Sequence, residues 1–417
     1  MQFLIPVINM IAILFTTIAV VMFSHYISPL KRVVASGICL CGALSIVPIQ
    51  NYVLLTHDII SNNGTLITTE HEPTIYWITL SATLLCAIFS SIMQSSLFGL
   101  AGAMSTGDGA LTGALALGQG IAGVSVVGLR FVTKAGIGDA LAAKSTLLFF
   151  TLGLVQVFVS VIIFVVSMLR HNKKAMLTAS GMDSDADSHI AHARTINNPE
   201  EDIAQHEEEN YNVNGTVINS EYIALEEHSK DTCSTNSTGT TVVVSTCGVL
   251  SKVWRQAGTA CLVFTTCIAC FPGLTASLHS TTYHLGSWFP LMLVGTYNIF
   301  DLIGKSLPPY LPLFAGRRKA QLHLPLCAAL HVVFVPVFIL LSNSMFGGDL
   351  AAFAVVGLLG LTTGYLGCSA MMLGPEQVES AKEREVAGIL DTLGLVLGLT
   401  LGSVIGLVIS AVQSGGA

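Results

Sequence analysis

Ten stretches of this chain are apolar for about 20 residues each, the length an α-helix needs to cross the hydrocarbon core of a bilayer. They run roughly over 3–24, 33–55, 76–102, 110–133, 145–169, 250–273, 286–307, 322–342, 350–374 and 386–412. In lipid every backbone N–H and C=O must be paired within the structure, so only helices and closed barrels cross. No stretch alternates polar and apolar residues over about ten positions as a barrel strand does. The expected fold is therefore an all-α membrane protein, a polytopic helical bundle of ten spans. Composition agrees where it matters. Only 10% of the residues are charged, against about 25% in a soluble domain. Thirteen of the 25 acids fall between Asp183 and Asp231, so the rest of the chain carries very few. This excludes an ordinary soluble enzyme. A net charge of −7 leaves no basic excess for binding nucleic acid.

The only long polar segment, 171–249, is acidic, rich in Ser, Thr and Asn, and poor in aromatics. Such a segment buries too little apolar surface to fold alone. The expected organisation is an N-terminal half of five helices over 1–170, a disordered cytoplasmic loop over 171–249, and a C-terminal half of five helices over 250–417. Basic residues set the orientation, because cytoplasmic loops retain Lys and Arg. With the N-terminus outside, fourteen of the 18 basic residues lie in inner loops, among them Lys31, Arg32, Arg317, Arg318, Lys319, Lys382 and Arg384. Lys134 and Lys144 lie outside, while Arg130 and Lys305 fall within spans. The sequon at Asn63 then faces outward, where glycosylation occurs. Those at Asn214 and Asn236 are chance matches in the inner loop. The first run has no basic leader and is too long for a cleavable signal, so it reads as a span.

Several motifs carry less than they promise. Gly118-Gln119-Gly120-Ile121-Ala122-Gly123 fits G-x-G-x-x-G, but a dinucleotide site needs a preceding strand. Inside a membrane run, Gly118, Gly120 and Gly123 read as helix-packing glycines. Cys267-x-x-Cys270 stands without a partner pair, and His189-x-x-His192 lies in the acidic loop, so no metal or cofactor site is expected. Gly394, Gly398, Gly402 and Gly406 recur every four residues in the last run, and Gly357, Gly360, Gly364 and Gly367 mark a similar face in the run before. Both are smooth faces on which another backbone can lie.

Buried polarity is the sharper signal, because an ionisable group inside a bilayer is costly and marks function by default. Asn298, Asp301 and Lys305 are spaced i, i+3, i+7 and share one helix face, with Asp301 and Lys305 able to pair at i, i+4. Their other reading is a structural ion pair at the cytoplasmic end. Gln119 and Arg130 lie about three turns apart on a common face, though Arg130 also has the length to snorkel outward beside Lys134. Gln94, among Met93, Ser95 and Ser96, offers both donors and acceptors, to a solute or to a neighbouring helix.

At these residues the chain resembles the equilibrative nucleoside transporter family. The likeness is carried by Met93 through Gly102, by Gly118 through Gly123, by Tyr297 through Ser306, and by Gly364-Tyr365-Leu366 with Gly374-Pro375-Glu376 and the glycine-rich end. The stretch Leu129 through Lys134 looks more like plant and protist members than animal ones. The resemblance implies a major-facilitator-like bundle of two helical halves around a central cavity, working by alternating access. Its substrates would be nucleosides or nucleobases, with or without protons, carried across the bilayer of most expectedly the plasma membrane. On this reading Gln94, Gln119, Arg130, Asn298, Asp301 and Lys305 are the substrate-binding candidates. Two departures stand out. The family has eleven spans, and the first run here resembles the second of them, so the first span is expected to be missing. The family's motif ends in arginine where this chain has Lys305, which keeps the charge but loses the planar fork. A carrier of another small polar solute or organic cation, and a non-transporting receptor or scaffold built on the acidic loop, remain open from the residues alone.

Deleting residues 180–245 is predicted to leave transport kinetics unchanged, because the segment has no core of its own. Solute uptake and surface labelling of the deletion variant check this. Lost substrate affinity at normal surface level would place part of the loop on the transport path.

Overall fold

The computed structural model describes residues 4–60, 72–105, 109–137, 147–170, 245–273, 275, 278, 280–314, 316–342 and 348–415. The acidic loop, the Asn63 sequon and the His189/His192 pair lie outside the described residues. All the regular structure among the described residues is helical. In chain order the helices are α1 Leu4–Phe23, α2 Pro29–Ile60, α3 Glu72–Met104, α4 Ala110–Ile137, α5 Leu147–Arg170, α6 Thr246–Ile268, α7 Trp288–Ser306, α8 Arg317–His331, α9 Phe334–Ser342, α10 Gly348–Leu373 and α11 Ala381–Gly415. Residues 1–157 and 244–417 form one compact unit; residues 158–243 form a second, of which the described part is the end of α5.

Among the described residues, eight helical segments are long and apolar enough to cross a membrane: those of α1 to α5, the joined α8 and α9 over Arg318–Ser342, α10 and α11. The two expected runs that fall short, α6 and α7, are helices all the same. They fall short because they carry the polar groups, Lys252, Arg255 and Gln256 in α6 and Asn298, Asp301 and Lys305 in α7.

Helices in lipid gain nothing from excluding water from one another, so close approach and hydrogen bonds hold them. The glycine faces serve this purpose. A Cβ at Gly394, Gly398 or Gly402 of α11 would strike the carbonyls of Ala257, Cys261 and Thr265 of α6 in turn. The two backbones therefore touch, and the order of contacts shows that α6 and α11 run parallel. Gly406 is looser, with the nearest carbonyls of α6 and its continuation at 3.5 Å. A second parallel pair joins α7 and α10: Gly360 lies on the Tyr297 carbonyl, Gly364 on the Asp301 carbonyl, and Gly304 on the Leu361 carbonyl. Antiparallel contacts complete the unit. Gly388 of α11 abuts the Phe98 carbonyl of α3, and Gly102 of α3 abuts the Arg384 carbonyl of α11.

Breaks in the helices are compensated locally. Pro325 inside α8 removes the donor that would pair with the Gln321 carbonyl. Arg255 of α6 donates to that carbonyl instead, Nη1 to O at 3.3 Å. Below α6 the chain makes one π turn, Ala269–Gly273, with Phe271 in extended geometry (φ −134°, ψ 123°). The segment that follows is pinned by Asp349 at the start of α10. Its carboxylate accepts from Ser280 Oγ at 2.6 Å and from the backbone N–H groups of Thr281, Thr282 and Tyr283.

Gly398→Ala should lower the melting temperature of the purified protein, at a cost of about 1–3 kcal/mol for a side chain forced into a filled space. Gly118 has nothing within 4 Å of where its Cβ would stand, so it is not a packing glycine, contrary to the motif reading. Gly118→Ala should leave the melting temperature unchanged.

Candidate solute-binding site

The site is built on α7. Lys305 Nζ donates to Asp301 Oδ2 at 2.7 Å, with both side chains largely buried. The i, i+4 spacing does this within one helix, so the pair needs no other element to form. Asp301 itself is 5% exposed. Among the described residues, Lys305 is the one hydrogen-bond partner of its carboxylate. Three residues earlier, Asn298 Nδ2 donates to the Val294 carbonyl at 2.9 Å. Its Oδ1 points at Gly123 of α4, where no Cβ fits. A turn away, Gly120 of α4 lies against Leu302 and the Lys305 stem, 3.1 and 3.3 Å from where its Cβ would stand. The glycine motif of α4 and the polar face of α7 thus meet antiparallel. The glycines bring the α4 backbone up to the ion pair.

Behind the pair lies a second polar group that sequence reasoning missed. Tyr297 shares a hydrogen bond with Cys267 Sγ at 2.9 Å, and its ring stacks on Phe271 at 4.6 Å between centroids, 12° from parallel. The kink at Phe271 gives this stack its place, and nothing in the spacing announces a kink. On the other face, Gly360 and Gly364 of α10 lie against the Tyr297 and Asp301 carbonyls. The remaining candidates are more scattered. Gln119 is half-buried on α4, one turn from Gly123. Arg130 is half-buried two turns further on, near the end where Lys134 donates to Ser287 and lies 4.9 Å over the Trp288 ring. Gln94 is half-buried on α3, which packs on α1, α2, α4 and α11.

Polar ties also mark the two ends of the unit. At the end that the charge rule places inside, Arg32 of α2 donates from Nη2 to Glu385 Oε1 of α11 at 2.7 Å, and Lys252 of α6 pairs with Glu383 at 3.0 Å. Arg32 and Glu385 are 353 positions apart, beyond the reach of any spacing argument. At the opposite end stand the Asp349 cluster and the Lys134–Ser287–Trp288 contact. Asp391 in α11 and Gln256 in α6 are fully buried and also went unnoticed in sequence, although the rule that selects Asp301 selects an acid inside the last apolar run.

The chain is thus a polytopic helical bundle with a buried ion pair beside a glycine-lined helix contact. The nucleoside transporter family matches residues 80–411, and the chain belongs to that family, whose members transport nucleosides and are not enzymes. Among its relatives, Equilibrative nucleoside transporter 2 of Homo sapiens is 28% identical over 339 residues, covering 77% of this chain and 69% of that protein. Equilibrative nucleotide transporter 1 of Arabidopsis thaliana is 27% identical over 332 residues, covering 77% of this chain and 61% of that protein. Equilibrative nucleoside transporter 2 of Mus musculus is 34% identical over 161 residues, 36% of this chain and 35% of its own length. The human and plant identities differ by one point and do not favour the plant-like reading over an animal-like one.

Asp301→Ala strands Lys305 as an unpaired, largely buried charge, a loss of about 3–5 kcal/mol for buried pairs. Transport should collapse, with a reduced surface level. Lys305→Arg keeps the charge and should retain transport. Uptake normalised to surface labelling reads both, and normal uptake by Asp301→Ala would make the pair peripheral.

Proposed function

We propose that this chain carries nucleosides or nucleobases across a membrane by alternating access, with α7 as the recognition helix. The observation that carries the reading is Asp301: it is largely buried, Lys305 is its one hydrogen-bond partner among the described residues, and it lies on a helix approached closely by α4 and α10. A ribose offers vicinal hydroxyls, and a carboxylate oxygen accepts from them. Asn298 adds an amide to the same face, and Gln119, Gln94 and Arg130 are further candidates for the base. The polar ties at both ends supply what alternating access needs, contacts that break on one side while they hold on the other. With Arg32–Glu385 and Lys252–Glu383 at one end, the inner loops close through ion pairs.

Ten crossings fit the packing. Successive spans alternate in direction, so the parallel pairs α6–α11 and α7–α10 each require an odd number of crossings between them. Counting α6, α7 and the joined α8–α9 as spans gives three and one. The antiparallel pairs α4–α7 and α3–α11 fit the same count. On this reading the chain has five spans, an inner acidic loop and five spans, and the charge rule would put Asn63 outside as a glycosylation site, with the plasma membrane as the proposed location.

The purified chain in liposomes should admit radiolabelled adenosine or uridine until inside and outside concentrations match, with competition from unlabelled nucleosides and nucleobases. Liposomes that stay as impermeable as protein-free ones would sink the carrier reading.

A further inference from the structure

Asp391 is 1% exposed, and neither of its carboxylate oxygens meets a hydrogen-bond partner among the described residues. It lies inside the apolar stretch Ala381–Ile409, six residues or about 9 Å along α11 beyond Glu385. Its carboxylate occupies the place a Gly374 side chain would take, at the point where α10 gives way to the turn Pro375–Gln377. Across the parallel contact, Gln256 of α6 is 0% exposed, and both its amide oxygen and nitrogen are unpartnered. The register that sets Gly394 on Ala257 brings Gln256 within a turn of Asp391 along the pair. Two buried polar side chains with no internal partners therefore stand behind the Arg32–Glu385 closure.

The charged neighbours do not account for Asp391. The elements packed on α11 are α1, α3, α6, α10 and the turns at 269–273 and 375–377. Towards this end they bring Lys252 and Arg255 from α6 and Glu376 from the turn, with Lys382, Glu383, Arg384 and Glu385 on α11 itself. Deeper lie the thiols of Cys261 on α6 and Cys368 on α10; α1 contributes no charged residue, and α3 has Cys86 among its described side chains. Lys252 is engaged by Glu383 and Arg32 by Glu385, and among the described residues no basic side chain forms an ion pair with Asp391. An ionised carboxylate without donor or counter-ion is not stable in such a place, whereas the neutral acid is.

We propose that Asp391 is the proton-binding site of this carrier. Its carboxylate takes a proton from outer water while the opposite end is open, holds it while α6, α10 and α11 enclose it, and releases it to cytoplasmic water, the O–H bond breaking, when the Arg32–Glu385 end opens. One proton then accompanies each solute inward. This rests on the nucleoside-carrier reading, and Asp391→Asn copies the neutral acid in shape and charge.

Two measurements test it, in liposomes loaded with a pH dye and in purified protein by infrared spectroscopy. An inward gradient of one pH unit should let the parent protein accumulate adenosine or uridine up to about tenfold, the equivalent of one proton per solute. Asp391→Asn should equilibrate the nucleoside without accumulating it and without acidifying the lumen. Infrared spectra should show a protonated carboxyl band in the parent that is missing from the variant. Parent uptake indifferent to the proton gradient, accumulation that follows sodium instead, gradient-driven accumulation by Asp391→Asn, or an unchanged carboxyl band would each overturn the proposal. A parent that shows the Asp391 band but moves neither nucleoside supports the proton site and fails the carrier reading instead.

Discussion

Backbone-to-backbone contact between helices is what the rest of this bundle depends on. Hydrocarbon chains are as apolar as leucine, so oily side chains give two membrane helices no reason to prefer each other to lipid. Bare glycine faces do: along α6–α11 and α7–α10 the carbonyls of one helix rest where side chains of the other would be. These contacts fix direction and register together. They also decide which polar groups are enclosed. Asp301 is buried because Gly364 admits its own carbonyl, and Asp391 because Gly374 yields it space. The enclosed polarity of the chain is a by-product of where its glycines fall.

Much of this was legible in the sequence, because membrane burial imposes length and apolarity on each segment. The ten runs correspond to helices, and Asp301 with Lys305 is a pair that spacing alone specifies. The failures have a common cause, which is that partners on other helices leave no local trace. Gly118 and Gly120 look equivalent in the motif, yet two residues of rotation turn one outward and set the other on Leu302. Arg32 counts in the sequence only as an inner-loop charge, while in the fold it holds Glu385. The Phe271 kink, the Tyr297–Cys267 contact and the arginine that completes α8 at Pro325 all depend on meetings between distant segments. Gln94 and Arg130 were chosen for their chemistry, and chemistry without a register does not say what a side chain faces.

The two longer helices without an apolar stretch long enough to span, α6 and α7, are each half of a parallel glycine pair, with α11 and α10, which have one, as partners. A helix carrying Lys252, Arg255 and Gln256, or Asn298, Asp301 and Lys305, is poorly suited to lipid on all sides. Pressing its backbone against a smooth apolar neighbour shelters it.

The parallel course of α6 and α11 has an electrostatic consequence of its own. Antiparallel neighbours cancel each other's peptide dipoles, but here both positive ends emerge together at the same end of the bundle. Ser245 caps α6 by accepting from the Gly248 N–H, with no acid in its first turn, whereas α11 begins with Glu383 and continues to Glu385. Glu383 reaches across to Lys252 and so stands beside the starts of both helices. One carboxylate thereby offsets two aligned fields, at the end of the bundle where Arg32 also ties α2 to α11 through Glu385.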